Sequence, residues 1–450
     1  MPGLIGPDEV REVTEAALDI GGVDDVEVLF MHEWGGLSRF AESAIHQSTW
    51  REDTGLRVRV VSKGRVGVAA TNQFSVEGAR RVAASAKEMA AVASPDPEFP
   101  GLAPQAQIPD RDSMFDEATA NTSPEDRADR IAELVAKCQN GFHAAGAIDS
   151  TATEVGLANS EGQFCYAPLT QAMVTAVISG GDGGAGYAEE WSPSFGGLDV
   201  AAVGERAATK ARDSQNPQGL DPGTYEVVLE PAAVGTLVAF LAYMGLGGRA
   251  ILEGRSCFSG MEGERVGSEA ITFTDDALQP GTVGLPFDFE GTPKKIVTMI
   301  ENGVFRQGVH DRRSAKQAGT ESTGHALPPP NPEGAFPLNV MGQPGDASVE
   351  DMIAATERGL LVTRFHYSNI VHPKEAVITG MTRDGTFLIE NGRLKHPVKN
   401  FRFTQSIIEA LKATSMVGRD SELVSEFFFA GSRAPALKVD RFQFTGRSDH

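Results

Sequence analysis

A zinc hydrolase holds its metal with two imidazoles on one helical face and keeps a carboxylate beside the metal-bound water. That chemistry demands a His-Glu pair followed by a second His about one turn later. The His-Glu pair of this chain is His32-Glu33, and the positions four and five after His32 hold Gly36 and Leu37. The pair also falls at the end of an expected strand, so no metal role is assigned to it. His366 and His372 stand six positions apart, a spacing that fits neither one helix face nor one side of a strand, and they read as surface or hairpin histidines. His310 and His325 bracket a loop without a neighbouring cysteine or carboxylate cluster, and are left unassigned.

Other chemistry is equally sparse. Gly181-x-Gly183-x-x-Gly186 matches a dinucleotide-binding fingerprint by letter, but YAEEWSPSFGG follows instead of a helix, so a hairpin turn is expected. The chain has no GxSxG elbow and no phosphate-binding GxxxxGK[ST] loop. Ser256, Cys257 and Ser259 follow an apolar helix in a Gly-flanked turn where a nucleophile could sit. No adjacent base is identifiable, so small residues permitting a tight turn is the preferred reading.

Composition bounds the rest. The 450 residues exceed what one hydrophobic core usually organises, so two domains are expected. With 41% hydrophobic and 22% charged residues, the chain reads as globular. A net charge of −21, from 40 basic and 61 acidic residues, repels phosphate backbones and argues against nucleic acid as a partner. No apolar run reaches the roughly 18 residues of a membrane-spanning helix, and the N-terminus lacks a signal-peptide pattern, so no membrane association and a cytoplasmic location are expected. Cys138, Cys165 and Cys257 are too scattered for a disulfide framework or a metal clip.

The elements that must position any site follow from pattern. Helices are expected over Pro7 to Ile20, after the cap Ser75, and after Ser123 with Pro124 at the first helical position. Between the first two, four strands in a meander are expected, with SKGR as a hairpin turn. Strands return from Ala147 to Phe195, followed by the helix LDVAAVGERAATKARDS. The polar segment from Asp213 to Gly223 then separates an N-terminal α+β domain (1–215) from a C-terminal β-rich domain (223–450). The fold class is α+β: N-terminal helices packed on an antiparallel sheet, then a mostly antiparallel β domain around the apolar helix PAAVGTLVAFLAYM. In the second domain, Asp384-Gly385 and Asn391-Gly392 read as hairpin turns.

Long segments carry a family resemblance. SRFAESAIHQSTWREDTGLRVRVVSKGRVGVAAT, EPAAVGTLVAFL, FSGMEGERVGSEAITFTDD, EGTPKKIVTMIENGVF, STGHALPPPNPEGAFPLNV and TRDGTFLIENGR occur in order. The chain resembles the TldD/TldE family, also called PmbA or modulator of DNA gyrase, and most closely its TldE/PmbA side. The resemblance implies a two-domain protein that pairs with a homologous subunit around a cavity where a peptide is cut. In the TldD-type subunit a His-Glu-x-x-x-His helix and a later Cys bind zinc, with the Glu as general base.

Laid on this chain, the zinc motif falls on Ala239, Phe240 and Met244, give or take one position, and the region matching the later Cys reads SEFFFAGSRAP. The resemblance therefore implies no catalytic residue, no metal and no cofactor here, zinc in a TldD-type partner subunit, and a metal-free subunit that helps hold extended peptide. Substrate-groove residues are sought near Arg255, Cys257 and Ser259 and at Arg383 and Asp384. Two other readings stand beside this one: a metal-independent hydrolase using the Ser256 to Ser259 turn or the His366/His372 region, and a homodimeric peptide-binding scaffold.

Overall fold

The computed structural model describes residues 3–111, 114–139, 141–426 and 429–448. The N-terminal half contains α1 (Pro7–Leu18), β1 (Asp25–Ala41), β2 (Ala44–Ser62), β3 (Arg65–Thr71), α2 (Val76–Val92), α3 (Glu117–Ala120), α4 (Pro124–Val135), β4 (Phe142–Asn159), β5 (Phe164–Gly180), β6 (Gly184–Ser192) and α5 (Val200–Asp213). Its six strands form one antiparallel sheet in the order β3-β2-β1-β4-β5-β6.

Helix starts follow local chemistry. Ser75 accepts a hydrogen bond from the Gly78 amide, and Ser123 forms a reciprocal capping box with Asp126 ahead of Pro124. Lys63 and Gly64 take positive φ in the β2–β3 turn, as SKGR predicts. The expected four-strand meander is instead three strands, because β1 and β2 run 17 and 19 residues without a break. Gly35 and Gly36 stay extended inside β1. A Cβ at Gly35 would lie 2.3 Å from the Ser150 carbonyl oxygen, so glycine there permits close strand approach and makes no turn.

The C-terminal half contains β7 (Gly223–Leu229), α6 (Pro231–Gly245), α7 (Gly248–Leu252), β8 (Phe273–Asp275), β9 (Val297–Glu301), β10 (Val304–Phe305), α8 (Arg312–Ala318), β11 (Val340–Gly342), α9 (Val349–Ala354), β12 (Arg358–His372), β13 (Val377–Glu390), β14 (Arg393–Pro397), β15 (Phe401–Ser406), α10 (Ile407–Lys412), β16 (Thr414–Glu426) and β17 (Phe429–Arg447). Strands β17, β15, β13, β12 and β7 pair in that order, and β7 pairs again with β17, closing a five-stranded ring. Phe365, Phe401, Phe403, Phe442 and Phe444 fill it, with ring centroids 4.4–5.6 Å apart. Most pairings are antiparallel; β7–β12 and β11–β17 are parallel.

Asp384-Gly385 is not a hairpin turn. It lies inside the continuous strand β13, where positive φ at both residues accompanies a register shift against β12. Asn391-Gly392 does turn the chain, from β13 into β14.

Charge and apolar packing join the halves. Arg59 on β2 lies 2.8 Å from Glu27 and 3.4 Å from Glu290, and Leu29, Val155, Leu157 and Cys165 of the first sheet pack on Phe287. Arg111 is wrapped by the carbonyls of Ala277, Gln279, Thr282 and Gly284.

Candidate functional site

Helix α6 organises the site. Pro231 at its first turn supplies a pre-set φ, and the residues from Pro231 to Gly245 carry no charge. A helix apolar all round must be covered all round, and residues from Ala233 to Met244 are buried except Ala239 and Tyr243. Those two, one turn apart, share a face. That face opens on a cavity of about 610 Å³.

The facing walls come from distant segments: residues 335–338, Ser368 to Ile370 at the end of β12, Val424 on β16 and Ser432 on β17. At Gly235 a Cβ would stand 2.9 Å from the Val424 Cβ, so glycine lets β16 approach the helix. The lining is mainly apolar and, among the described residues, carries two charged side chains, Arg255 and Glu333. Ser368 adds a buried hydroxyl without a hydrogen-bond partner.

Arg255 is fixed from behind. Its Nε donates to one Glu253 oxygen at 2.7 Å, while Arg249 Nε donates to the other at 2.8 Å and Arg249 also reaches the Pro332 carbonyl. Arg249 first, then Arg255, hold the Glu253 carboxyl below its usual range.

Cys257 and Ser259 do not line this cavity. Cys257 is 5% exposed, and burial pushes its thiol up to about 12. Ser256 Oγ donates to the Gly245 carbonyl and accepts from the Phe258 amide, and Ser259 Oγ donates to the Ile251 carbonyl. The hydroxyls fold the turn back on the end of α6, where Gly245 leaves room for Cys257 and Phe258.

Arg383 and Asp384 line a separate cleft of about 300 Å³ together with Gly183, Ala185 and Ser214 of the other half. Asp384 is paired with Arg364, whose guanidinium lies 4.0 Å from the Tyr187 ring centroid. The structure therefore separates Arg255 from the other four groove candidates.

The histidines resolve in the same way. His32 lies inside β1, not at its end, and its Nδ1 is 2.8 Å from Glu154 Oε2. His366 and His372 occupy the outer part of β12. Burial, then Arg364 and Arg383, hold the His366 imidazole below its usual value. Gly181 to Gly186 spans the β5–β6 hairpin, as expected.

One polar cluster escaped sequence reasoning. His325 Nε2 lies 2.8 Å from Asp275 Oδ1, and His325 Nδ1 lies 2.9 Å from Thr323 Oγ1, all of them buried beside Lys294. Asp275 and His325 are 50 positions apart, so no local spacing signals the pair.

Of the zinc-motif positions, Ala239 and Phe240 line the cavity, while Met244 packs in the core. The donor set does not fit zinc: none of these side chains offers an imidazole or carboxylate, and among the described residues no three His, Cys, Asp or Glu gather to hold a metal. Phe427 and Phe428, within the stretch matched to the later Cys, lie outside the described residues. No helix of the described residues is long and apolar enough to cross a membrane.

Known proteins share this architecture. Residues 222–446 match the model of the PmbA/TldA metallopeptidase C-terminal domain, residues 26–90 match domain 1, and residues 105–215 match the central domain. A protein named Metalloprotease from Methanothermobacter thermautotrophicus is 25% identical over 82% of each chain. Metalloprotease PmbA from Escherichia coli O157:H7 is 23% identical over 96% of each. TldE from Thermococcus kodakarensis superposes with a TM-score of 0.88 at 22% identity, covering 97% of this chain and all of that one, which establishes a common fold. With matching domain models spread from residue 26 to residue 446, this chain belongs to the PmbA/TldD metallopeptidase family.

Proposed function

We propose that this chain is the metal-free subunit of a two-chain zinc peptidase, completing the cavity and holding an extended, unfolded or modified peptide while a TldD-type partner supplies the zinc. The observation that carries the reading is that α6 turns Ala239 and Phe240 toward the cavity, where the family resemblance places a zinc ligand and a general base. An apolar lining suits side chains of an unfolded peptide. Strand β12 pairs with β7 only as far as Val362, so its outer stretch, including Ser368 to Ile370 in the cavity wall, has an edge on which a peptide could pair by main-chain hydrogen bonds.

The nucleophile reading gains no comparable support, because Cys257 is buried and both serines of its turn are spent on backbone carbonyls. The test is metal content and peptide cleavage, measured for the chain alone and mixed with a TldD-type subunit. The expected outcome is no stoichiometric zinc and no cleavage alone, with cleavage on mixing. One equivalent of zinc in the isolated chain, or peptidase activity that survives rigorous purification, would overturn the proposal.

A further inference from the structure

The cavity beside α6 has an asymmetry that an extended peptide alone does not require. Its walls are mostly apolar, and the two charged side chains among the described residues of its lining are unequal in their constraint. Glu333 is exposed on the 331–334 turn, whereas Arg255 is tethered by its Nε to Glu253, whose second oxygen is taken by Arg249. Arg249 is anchored in turn on the Pro332 carbonyl. A guanidinium held through Nε keeps both terminal nitrogens for another partner, in the planar fork that matches a carboxylate. Because Glu253 is shared between two arginines, the Arg249–Glu253–Arg255 group retains one net positive charge beside the cavity.

We propose that Arg255 receives the C-terminal carboxylate of the bound peptide, so that the cavity takes the free end of an apolar chain and not an internal segment. This inference rests on the peptide-holding reading above. Charge complementarity selects the carboxylate, and the remaining polar groups select a peptide over a simple organic acid. The outer stretch of β12 from Ser368 to Ile370 lies beyond its pairing with β7 and brings main-chain amide and carbonyl groups to the wall opposite the helix. An acid without amide groups makes no use of that edge, whereas a peptide can pair along it. A volume of about 610 Å³ is within the usual range for a ligand of several residues. The residue that sets the preference is thus a binding residue, on the turn that follows α7, and it acts without metal chemistry.

The test uses the full chain and a fluorescently labelled apolar tetrapeptide such as Val-Leu-Phe-Leu, prepared as the free acid and as the C-terminal amide, with decanoate as competitor. Wild-type protein is expected to bind the acid at least about 10-fold more tightly than the amide, the range of one charge-assisted contact. Arg255→Gln removes that difference, and Arg255→Glu reverses it. Arg255 is half exposed at its side chain, so both variants are expected to keep the wild-type melting temperature. Equal binding of acid and amide by the wild type, or a preference that survives in Arg255→Gln, overturns the proposal and leaves peptide holding intact. No binding of either peptide overturns both. Displacement of the peptide by decanoate at matching concentration overturns the peptide assignment in favour of a general acid site.

Discussion

Lys294→Met tests how the buried charges of the C-terminal half are balanced. Lys294 is 6% exposed, and the carboxylates whose fields act on it are Asp275 and Asp288. Burial pulls the lysine down from its usual value, and those two carboxylates oppose the pull. Burial would raise Asp275, but His325, Lys294 and the Asn339 amide outweigh it and leave the carboxyl below its usual range. His325 is held below its usual value by burial, then by Lys294. At neutral pH the cluster is thus an ionised Asp275, a neutral His325 donating to it through Nε2, and Lys294 as counter-cation. Removing one member of a buried charge group costs about 3 kcal/mol or more, since methionine keeps the apolar stem but not the charge.

The pH dependence gives a second, sharper readout. Asp275, with a depressed folded pKa, gives stability that is present above its unfolded value near 4 and lost only at lower pH, so it does not act between pH 6 and 7.5. His325 is also depressed. Its contribution is present above its unfolded value near 6.5 and is lost as pH falls, because the unfolded chain takes a proton that the folded site refuses. For this histidine alone the cost between pH 7.5 and 6 is at most about 0.8 kcal/mol, and it is opposed by Asp288, whose carboxyl burial and then Glu290 push up to about 7, so that the fold takes up a proton there over the same range. Without Lys294, His325 faces Asp275 with no opposing cation and can accept the proton in the fold. The gap between wild type and Lys294→Met should therefore narrow on going from pH 7.5 to 6, since in the variant both His325 and Asp288 take up a proton more readily in the fold. Urea titrations followed by circular dichroism at the two pH values measure it. A variant as stable as wild type at pH 7.5, or a gap that widens on acidification, refutes the charge assignment.

Two further perturbations probe the turn after α6 and the junction of the halves. Burial raises all three thiols, with Cys257 pushed up to about 12, so at pH 8 a disulfide reagent should label the folded protein slowly and release three equivalents only in urea. Rapid stoichiometric labelling of Cys257 in the folded state would restore the nucleophile reading. Arg111→Ala leaves the carbonyls of Ala277, Gln279, Thr282 and Gly284 without their shared donor; a loss of about 2 kcal/mol and new proteolytic cleavage between 277 and 284 are expected, and an unchanged digestion pattern would show that other contacts hold the loop.

Legibility in the sequence tracked how local the cause was. The caps Ser75 and Ser123, the Lys63-Gly64 turn and the uncharged helix α6 are each set by a few adjacent residues, and each was readable. Asp384-Gly385 was misread because a left-handed pair serves a hairpin loop and a bulge equally well. Whether the chain reverses there is decided by β12, whose residues from Arg364 to Val362 flank the register shift. The four-strand expectation failed for a related reason: β1 runs unbroken through Gly35 and Gly36, and only contact with Ser150 and Arg127 shows why those positions are small.

The same distinction explains where the structure places the site candidates. Arg255, Cys257 and Ser259 occupy one short segment, and sequence proximity made them a group. The turn that holds them buries Ser256, Cys257 and Phe258 in a row against the end of α6, while Arg255 stays at the cavity, tied to Glu253 two positions before it. Proximity along the chain locates a turn; which of its residues reach the cavity is set by the segments that cover the helix, here residues 335–338 and the outer part of β12. Those walls lie roughly a hundred positions from α6, so the cavity they enclose against Ala239 and Tyr243 has no signature in the helix itself. On the function proposed above, recognition is the chemistry asked of this chain, and the tethered Arg255 is the group on the described cavity lining whose charge and geometry are suited to it.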